Sequence, residues 1–312
     1  MPAETTAGTT AGATAGATPE TTAGTTAEPT PATTTETPSA TPPETTTSSL
    51  DRAVAEASRR LAAARASHRP CPPVRDLLPP GDIHAAYAVQ SRWVAGREAA
   101  GARVIGRKIG LTSPKVQAQL GVDQPDFGFL LDDMACADGA AVDLDRLNRP
   151  KIEAEVAFVL AADLDTEHIG PAEVAAATGH VVAALEIVDS RIADWDISLV
   201  DTVADNASSG LFVLGSEPRH LDGLELAGCA MVLRRGGDVV STGTGAECLG
   251  GPALAVAWLA RTARAHGRPL RAGDIVLSGA LGPMVPVTAG DVFEAEITGL
   301  GTVRTSFTGG SS

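Results

Sequence analysis

The sequence predicts an α+β fold, with a core of layered, mixed β-sheet behind a small helical N-terminal region. Two observations carry this expectation. Helical spacing of apolar residues dominates between residues 49 and 102, whereas from residue 103 onward apolar segments of strand length prevail, separated by glycine-rich turns. Those strand segments also do not alternate regularly with helices, as they would in a doubly wound sheet. No G-x-G-x-x-G pattern follows a strand and no P-loop occurs, so no nucleotide cofactor is suggested.

The first 48 residues stand apart. From Met1 to Ser49 there is no Leu, Ile, Val, Phe, Tyr or Trp, and Thr-Thr-Ala-Gly recurs at 5–8, 9–12 and 21–24. Such a segment cannot bury enough apolar surface to offset the entropy of ordering it, so it reads as a disordered tail. It lacks the basic start and apolar stretch of a signal peptide. The expected organisation is therefore a tail over 1–48, a helical region over 49–102 and a catalytic mixed-β domain over 103–309.

Within the helical region, Ser48 and Ser49 precede Leu50, Val54, Ala57 and Leu61, which marks a capped amphipathic helix. A proline-rich loop follows, and Asp82 caps a second helix over about 83–100. Val104–Gly110 reads as a short strand interrupted by glycines. Ser113 and Pro114 open a short helix ending near Gly121. Strands are expected at 151–160, 181–189, 211–215, 229–234, 274–278 and 291–298, and helices at 171–178 and 252–266. Turns fall at 236–237, 279–282 and 299–301.

The formal net charge is −14, and an acidic excess remains once the five glutamates of the tail are set aside. That argues against nucleic acid or an anionic membrane as partner. No apolar run approaches the ~20 residues that span a bilayer. Cys71, Cys136, Cys229 and Cys248 form no Cys-x-x-Cys and have no nearby His pair, which fits reduced core thiols in a cytoplasmic protein. None of the six histidines sits in a segment that looks chemical.

The chemistry is concentrated in three glutamates. Glu153 and Glu155 lie two apart in Lys151-Ile-Glu-Ala-Glu-Val-Ala-Phe-Val-Leu160, so they share one face of a strand, while Ile152, Ala154, Val156 and Phe158 take the other. Two glutamates on a solvent face would be ordinary. Glu186 changes the balance, because it is the only polar residue in the apolar run Val181–Val188. An ionised carboxylate there is costly unless compensated. Three converging carboxylates suit Mg²⁺ or Mn²⁺ better than Zn²⁺. An octahedral ion with three monodentate protein ligands keeps two positions for a chelating 2-oxo acid and one for water.

Lys108, between glycines and apolar residues in Gly106–Gly110, reads either as a solvated side chain or as a cation that offsets these carboxylates and donates a proton to a developing carbanion or enolate. Asp126 either stabilises a turn after Pro125 or serves as a carboxylate that positions water or pairs with Lys108. Asp201, Asp205, Asn206, Ser208 and Ser209 form either a polar loop or a cradle for a substrate carboxylate.

Five segments together resemble the 2-keto-4-pentenoate hydratase / 4-oxalocrotonate decarboxylase family of the fumarylacetoacetate hydrolase superfamily. They are Gly106-Arg-Lys-Ile-Gly-Leu-Thr-Ser113, Gln124-Pro-Asp-Phe-Gly128, Ile152-Glu-Ala-Glu-Val156, Ala184-Leu-Glu-Ile-Val-Asp-Ser-Arg191 and Asp205-Asn-Ala-Ser-Ser-Gly210. The resemblance runs from about residue 50 to 307 and includes Gly273–Gly282. It implies the layered mixed-sheet fold of that superfamily, homo-oligomers often built on pentamers, and a complex with a decarboxylase or aldolase of the same route. By motif, Glu153, Glu155 and Glu186 match its metal ligands, Lys108 and Asp126 its active-site lysine and aspartate, and Ser208 a substrate-side residue.

The related C–C hydrolases carry an aspartate in an Asn-Asp turn where this chain has Leu185-Glu186-Ile187. They also use a histidine that is not found here. The resemblance therefore implies hydration of 2-hydroxypenta-2,4-dienoate in aromatic meta-cleavage catabolism. The runner-up is decarboxylation of 4-oxalocrotonate, in which Arg107 or Arg191 would meet the extra carboxylate, and the third is hydrolysis of an acylpyruvate.

Overall fold

The computed structural model describes residues 48–113, 117, 122 and 124–309. The Thr-rich tail, and nearly all of the short helix expected between Ser113 and Gly121, lie outside them.

Helix α1 spans Ser49–Ser67. Ser48 caps it and Asp51 answers in a reciprocal capping box, an arrangement whose loss costs about 1 kcal/mol. His68, in the left-handed region, ends it. Val54, Ala57, Leu61 and Ala64 form its buried stripe. Helix α2, Ile83–Ala99, is capped by Asp82. Its buried Gln90 donates to the carbonyls of Phe127 and Val203 at 2.9 and 3.0 Å, tying the helix to the sheet region. Both helices share a small apolar cluster with Ile192, Val200, Val203 and Ala204.

Two mixed sheets make the core. The strands of the larger are β1 (Val104–Gly110), β2 (Asp126–Leu131), β3 (Ala135–Cys136), β5 (Lys151–Leu160), β6 (Thr178–Val188), β7 (Ser209–Leu214), β10 (Ile275–Ala280) and β11 (Val285–Pro286). Its order is β2-β1-β10-β5-β6-β7-β3, with β11 also pairing to β5. The β1–β10 and β3–β7 pairs are parallel and the others antiparallel. The smaller sheet orders β4 (Ala141–Asp143), β13 (Gly301–Thr308), β12 (Val292–Ile297), β8 (Ala230–Arg235) and β9 (Asp238–Thr244).

Buried Phe293, Ala295, Ile297, Val303 and Phe307 of the smaller sheet join Ile152, Ala154, Val156, Phe158, Leu185 and Ile187 in one core. Phe293 and Phe307 meet edge to face, their ring centroids 6.0 Å apart. One face of β5 is thus committed to apolar packing, as its alternation predicts. Short helices α3 (Pro171–Ala177) and α4 (Leu199–Ala204) and the longer α5 (Pro252–Ala265) complete the fold. No helix of the described residues is long and apolar enough to cross a membrane.

The structure departs from expectation at Gly279 and Ala280. They do not form a turn but continue β10, with a shift of register between Leu277 and Ala280. The turn residues Gly236 and Gly237 do have positive φ.

Candidate metal centre

Cross-strand partners share a face, and side chains alternate along each strand. Glu153 and Glu155 of β5 therefore point the same way, and Glu186 of β6 is the direct partner of Glu153. On the other side of β5, Leu277 of β10 pairs with Ala157 and with Lys108 of β1, which carries the same face across to the lysine. Gly110, two residues beyond Lys108, pairs with Asp126 of β2. One face of the larger sheet thus brings together Glu153, Glu155, Glu186, Lys108 and Asp126.

All five are buried; Glu153, the most accessible, is 8% exposed. One carboxylate oxygen from each of the three glutamates lies within 4.8 Å of the others. The Lys108 ammonium sits 3.1 Å from Glu186 Oε1. The Gly279 N–H donates to Glu155 Oε2 at 2.7 Å. Glu155 Oε1 and Glu186 Oε2 meet no hydrogen-bond donor among the described residues.

Two glycines let the backbone come this close. A Cβ on Gly110 would stand 2.2 Å from Asp126 Oδ1. Gly279 has φ +105°, and a Cβ there would meet Thr112 at 2.5 Å.

The electrostatics have two causes, burial first and then four carboxylates crowded about the Lys108 ammonium. Burial raises the Glu153 carboxyl to about 7, and the Glu186 charge adds to this. Burial and then the neighbouring glutamates hold Glu155 well above the carboxylate range. Burial also raises Glu186 and Asp126, against the pull of Lys108. For Lys108, burial opposes the charge, but Glu186, Asp126, Glu153 and Glu155 outweigh it and hold the ammonium above its ordinary value. Buried acceptors without donors, set in an excess of negative charge, are the donor set of a hard divalent cation. The residues present fit such an ion.

Ser208 is buried, its Oγ 3.3 Å from Thr202 Oγ1, and Thr202 donates to Asp126 Oδ2 at 3.3 Å. Thr202 was not singled out in the sequence, although it lies within the polar segment that starts at Asp201. The rest of the polar segment has structural work. Asp201 accepts from the N–H groups of Val74 and Arg75 and from the Arg75 guanidinium. Asp205 pairs with Arg191.

Neither arginine considered for a second substrate carboxylate offers a free charge to this face. Arg191 is taken by Asp205. Arg107, one residue from Lys108, falls on the opposite face of β1 and stacks on Phe129, 3.9 Å from the ring centroid. A cavity of about 1250 Å³ lies elsewhere, against α1 and α2, and none of the five residues lines it.

A family model described as fumarylacetoacetate (FAA) hydrolase C-terminal matches residues 94–308. The chain belongs to the fumarylacetoacetate hydrolase family. Among family relatives, a 2-keto-4-pentenoate hydratase of Paraburkholderia xenovorans (strain LB400) is 57% identical over 252 residues, covering 81% of this chain and 94% of that protein. A 2-hydroxyhexa-2,4-dienoate hydratase of Comamonas testosteroni is 47% identical over 252 residues, covering 80% of this chain and 96% of that protein.

Among solved structures, the 4-oxalocrotonate decarboxylase from Pseudomonas putida G7, complexed with magnesium and adipate, superposes with a TM-score of 0.79 at 34% identity. It covers 82% of this chain and 97% of that one. The same protein has also been solved with calcium and acetate. Divalent cations therefore bind within the fumarylacetoacetate hydrolase family, and the mixed-sheet fold expected from the sequence is its fold.

Proposed function

We propose that this chain is a hydro-lyase that adds water to 2-hydroxypenta-2,4-dienoate and yields 4-hydroxy-2-oxopentanoate, with Mg²⁺ or Mn²⁺ held by Glu153, Glu155 and Glu186. The observation that carries the reading is the single buried sheet face that joins three carboxylates to Lys108 and Asp126. It is supported by 57% identity to a 2-keto-4-pentenoate hydratase along nearly the whole of that protein.

When bound, the cation supplies positive charge to a substrate carboxylate and its neighbouring C2 oxygen. The remaining work falls to the chain. The C2 hydroxyl proton leaves and C5 gains one, which turns the dienol into an α,β-unsaturated ketone. Water oxygen then bonds to C4 while C3 takes a proton. Lys108 Nζ, ionised amid four carboxylates, is the proton donor on this face. Asp126, made more basic by burial, takes up a proton beside it. Thr202 and Ser208 extend the hydrogen-bonding line from Asp126. The buried face keeps bulk water from quenching these transfers.

Decarboxylation of 4-oxalocrotonate is the second reading, favoured by the likeness to the solved decarboxylase. Against it, the extra carboxylate of that substrate finds neither Arg107 nor Arg191 free. The reading also carries a homo-oligomer, pentamer-based in form, and association with another enzyme of the route; light scattering of the purified protein tests the first.

The deciding experiment is a paired assay with Mg²⁺ or Mn²⁺ and with EDTA. One cuvette holds freshly generated 2-hydroxypenta-2,4-dienoate and the other 4-oxalocrotonate. Metal-dependent loss of the dienoate absorbance with formation of 4-hydroxy-2-oxopentanoate supports the hydratase. Loss of only the oxalocrotonate, with CO₂ release, replaces it by the decarboxylase, and silence in both overturns the lyase reading.

A further inference from the structure

Three consecutive non-glycine residues, Asn206, Ala207 and Ser208, have φ of 56°, 51° and 52°. The left-handed region costs free energy for any residue with a Cβ, and alanine and serine gain little there in return. A run of three persists only where its surroundings over-determine it. Those surroundings are unusually complete.

Arg191 donates from its backbone N–H and its Nε to the Asp205 carboxylate, from Nη2 to the Asp205 carbonyl, and from Nη1 to the Ser209 carbonyl. The Ser190 hydroxyl also donates to Asp205. On the far side, the Asn206 carboxamide accepts from the Phe129 N–H at 2.8 Å and donates to the Phe129 carbonyl at 2.9 Å, as a neighbouring strand would. Arg191, Asp205 and Asn206 are each at most 4% exposed at their side chains or as whole residues. The run is held at both ends, at Asp205 and Ser209 by Arg191 and at β2 by Asn206. Its last member is Ser208, whose hydroxyl meets Thr202 and, through it, Asp126.

We propose that Arg191, Asp205 and Asn206 are positioning residues that clamp residues 206–208 in the left-handed conformation and so set the Ser208 hydroxyl against Thr202 and Asp126. This deepens the proposed function and rests on it for the identity of the reaction. It also explains why an arginine is buried beside a site that needs no second cation: its charge is spent on backbone carbonyls and one carboxylate, not on substrate. Lysine cannot replace it, because an ammonium lacks the planar fork that reaches Asp205 and Ser209 together.

The test compares wild type with Arg191→Lys, Arg191→Lys/Ala207→Gly and Asn206→Ala, the last leaving the ion pair intact should Arg191→Lys fail to fold. Four quantities are read: kcat and KM for the dienoate, Mn²⁺ affinity, and hydrogen exchange of the peptide covering 205–210. Arg191→Lys is expected to lower kcat about tenfold or more while Mn²⁺ affinity stays within about twofold, with exchange in 205–210 faster by about tenfold. Ala207→Gly in that background restores part of kcat, because glycine adopts the left-handed region without penalty. Asn206→Ala shows the same pattern.

Wild-type kcat and wild-type exchange in both single variants overturn the clamp. So does a parallel fall of kcat and Mn²⁺ affinity, which marks general damage. If wild type itself fails to consume the dienoate, the hydratase reading falls, while the exchange and Mn²⁺ measurements still judge the clamp.

Discussion

Glu153 and Glu186 stand directly opposite each other across the β5–β6 ladder, on a face buried from solvent. Like charges at that spacing repel, and here there is little water to screen them. The protein accepts the repulsion in the middle of a buried sheet and adds a third carboxylate, Glu155, to the same face. The arrangement makes sense where a cation completes it, and it sets the sign of what each substitution does.

Glu153→Gln, Glu155→Gln and Glu186→Gln should each lower kcat/KM by about 10³ or more, a loss of about 4 kcal/mol of transition-state stabilisation. In the metal-free protein Glu153→Gln should raise the melting temperature above about pH 7, where the Glu153 carboxylate would be ionised opposite Glu186, whereas Glu186→Gln should lower it, because Lys108 loses its ion-pair partner. Thermal unfolding in EDTA together with a Mn²⁺ titration reads both effects. A variant with normal turnover in chelator would remove that residue from the metal centre.

Lys108 faces the same cluster with the opposite sign. Lys108→Met should lower kcat by about a hundredfold or more while Mn²⁺ affinity changes much less. In EDTA the variant should be less stable than wild type, since the carboxylates lose the buried ammonium paired with Glu186. An unchanged kcat would take Lys108 out of the proton transfers.

Most of this site was legible in the sequence because carboxylates in apolar strand runs violate the usual pattern, and alternation alone puts Glu153 and Glu155 together. Alternation also separates Arg107 from Lys108, although it does not show what Arg107 meets. Both long N-terminal helices were legible from their caps and apolar spacing. Helix α4 was not, because its six residues are too few to show a period. β13 escaped although Val303, Thr305 and Phe307 alternate with more accessible residues, because one of its three buried positions is a threonine and the stretch opens on a glycine turn. The Thr202–Asp126 contact and the Arg191–Asp205 pair are long-range products of the fold, and nothing local marks them.

Gly279 links backbone conformation to a carboxylate. Its N–H holds Glu155 at 2.7 Å, its φ is +105°, and a Cβ would strike Thr112. Gly279→Ala should destabilise the protein by about 2–4 kcal/mol and weaken Mn²⁺ binding, because relieving the clash with Thr112 shifts the backbone N–H at position 279 away from Glu155. Gly290, also at positive φ but with open space around it, is the control: Gly290→Ala carries the backbone cost alone and should leave Mn²⁺ affinity unchanged. Equal Mn²⁺ affinity in the two variants would show that the Gly279 amide does not orient Glu155.

The pH dependence of stability follows from the same charge excess. Burial raises the Glu153 carboxyl from 4.5 to about 7 in the folded chain. The folded state therefore holds more protons than the unfolded state between those values, and stability must fall as pH rises through that window. For one such group the loss is about 3 kcal/mol, and Glu155, raised for the same reason, moves in the same direction. A bound divalent cation reverses the preference, because the ligands must be ionised to hold it. In EDTA the melting temperature should thus drop by several degrees between about pH 5 and pH 7.5. The increment on adding Mg²⁺ or Mn²⁺ should be small at the lower pH and large at the higher. Thermal scans on a pH grid, with and without cation at fixed ionic strength, measure both. A metal-free protein that gains stability across that window would mean that these glutamates are ionised without a cation, and the donor set would then need another explanation.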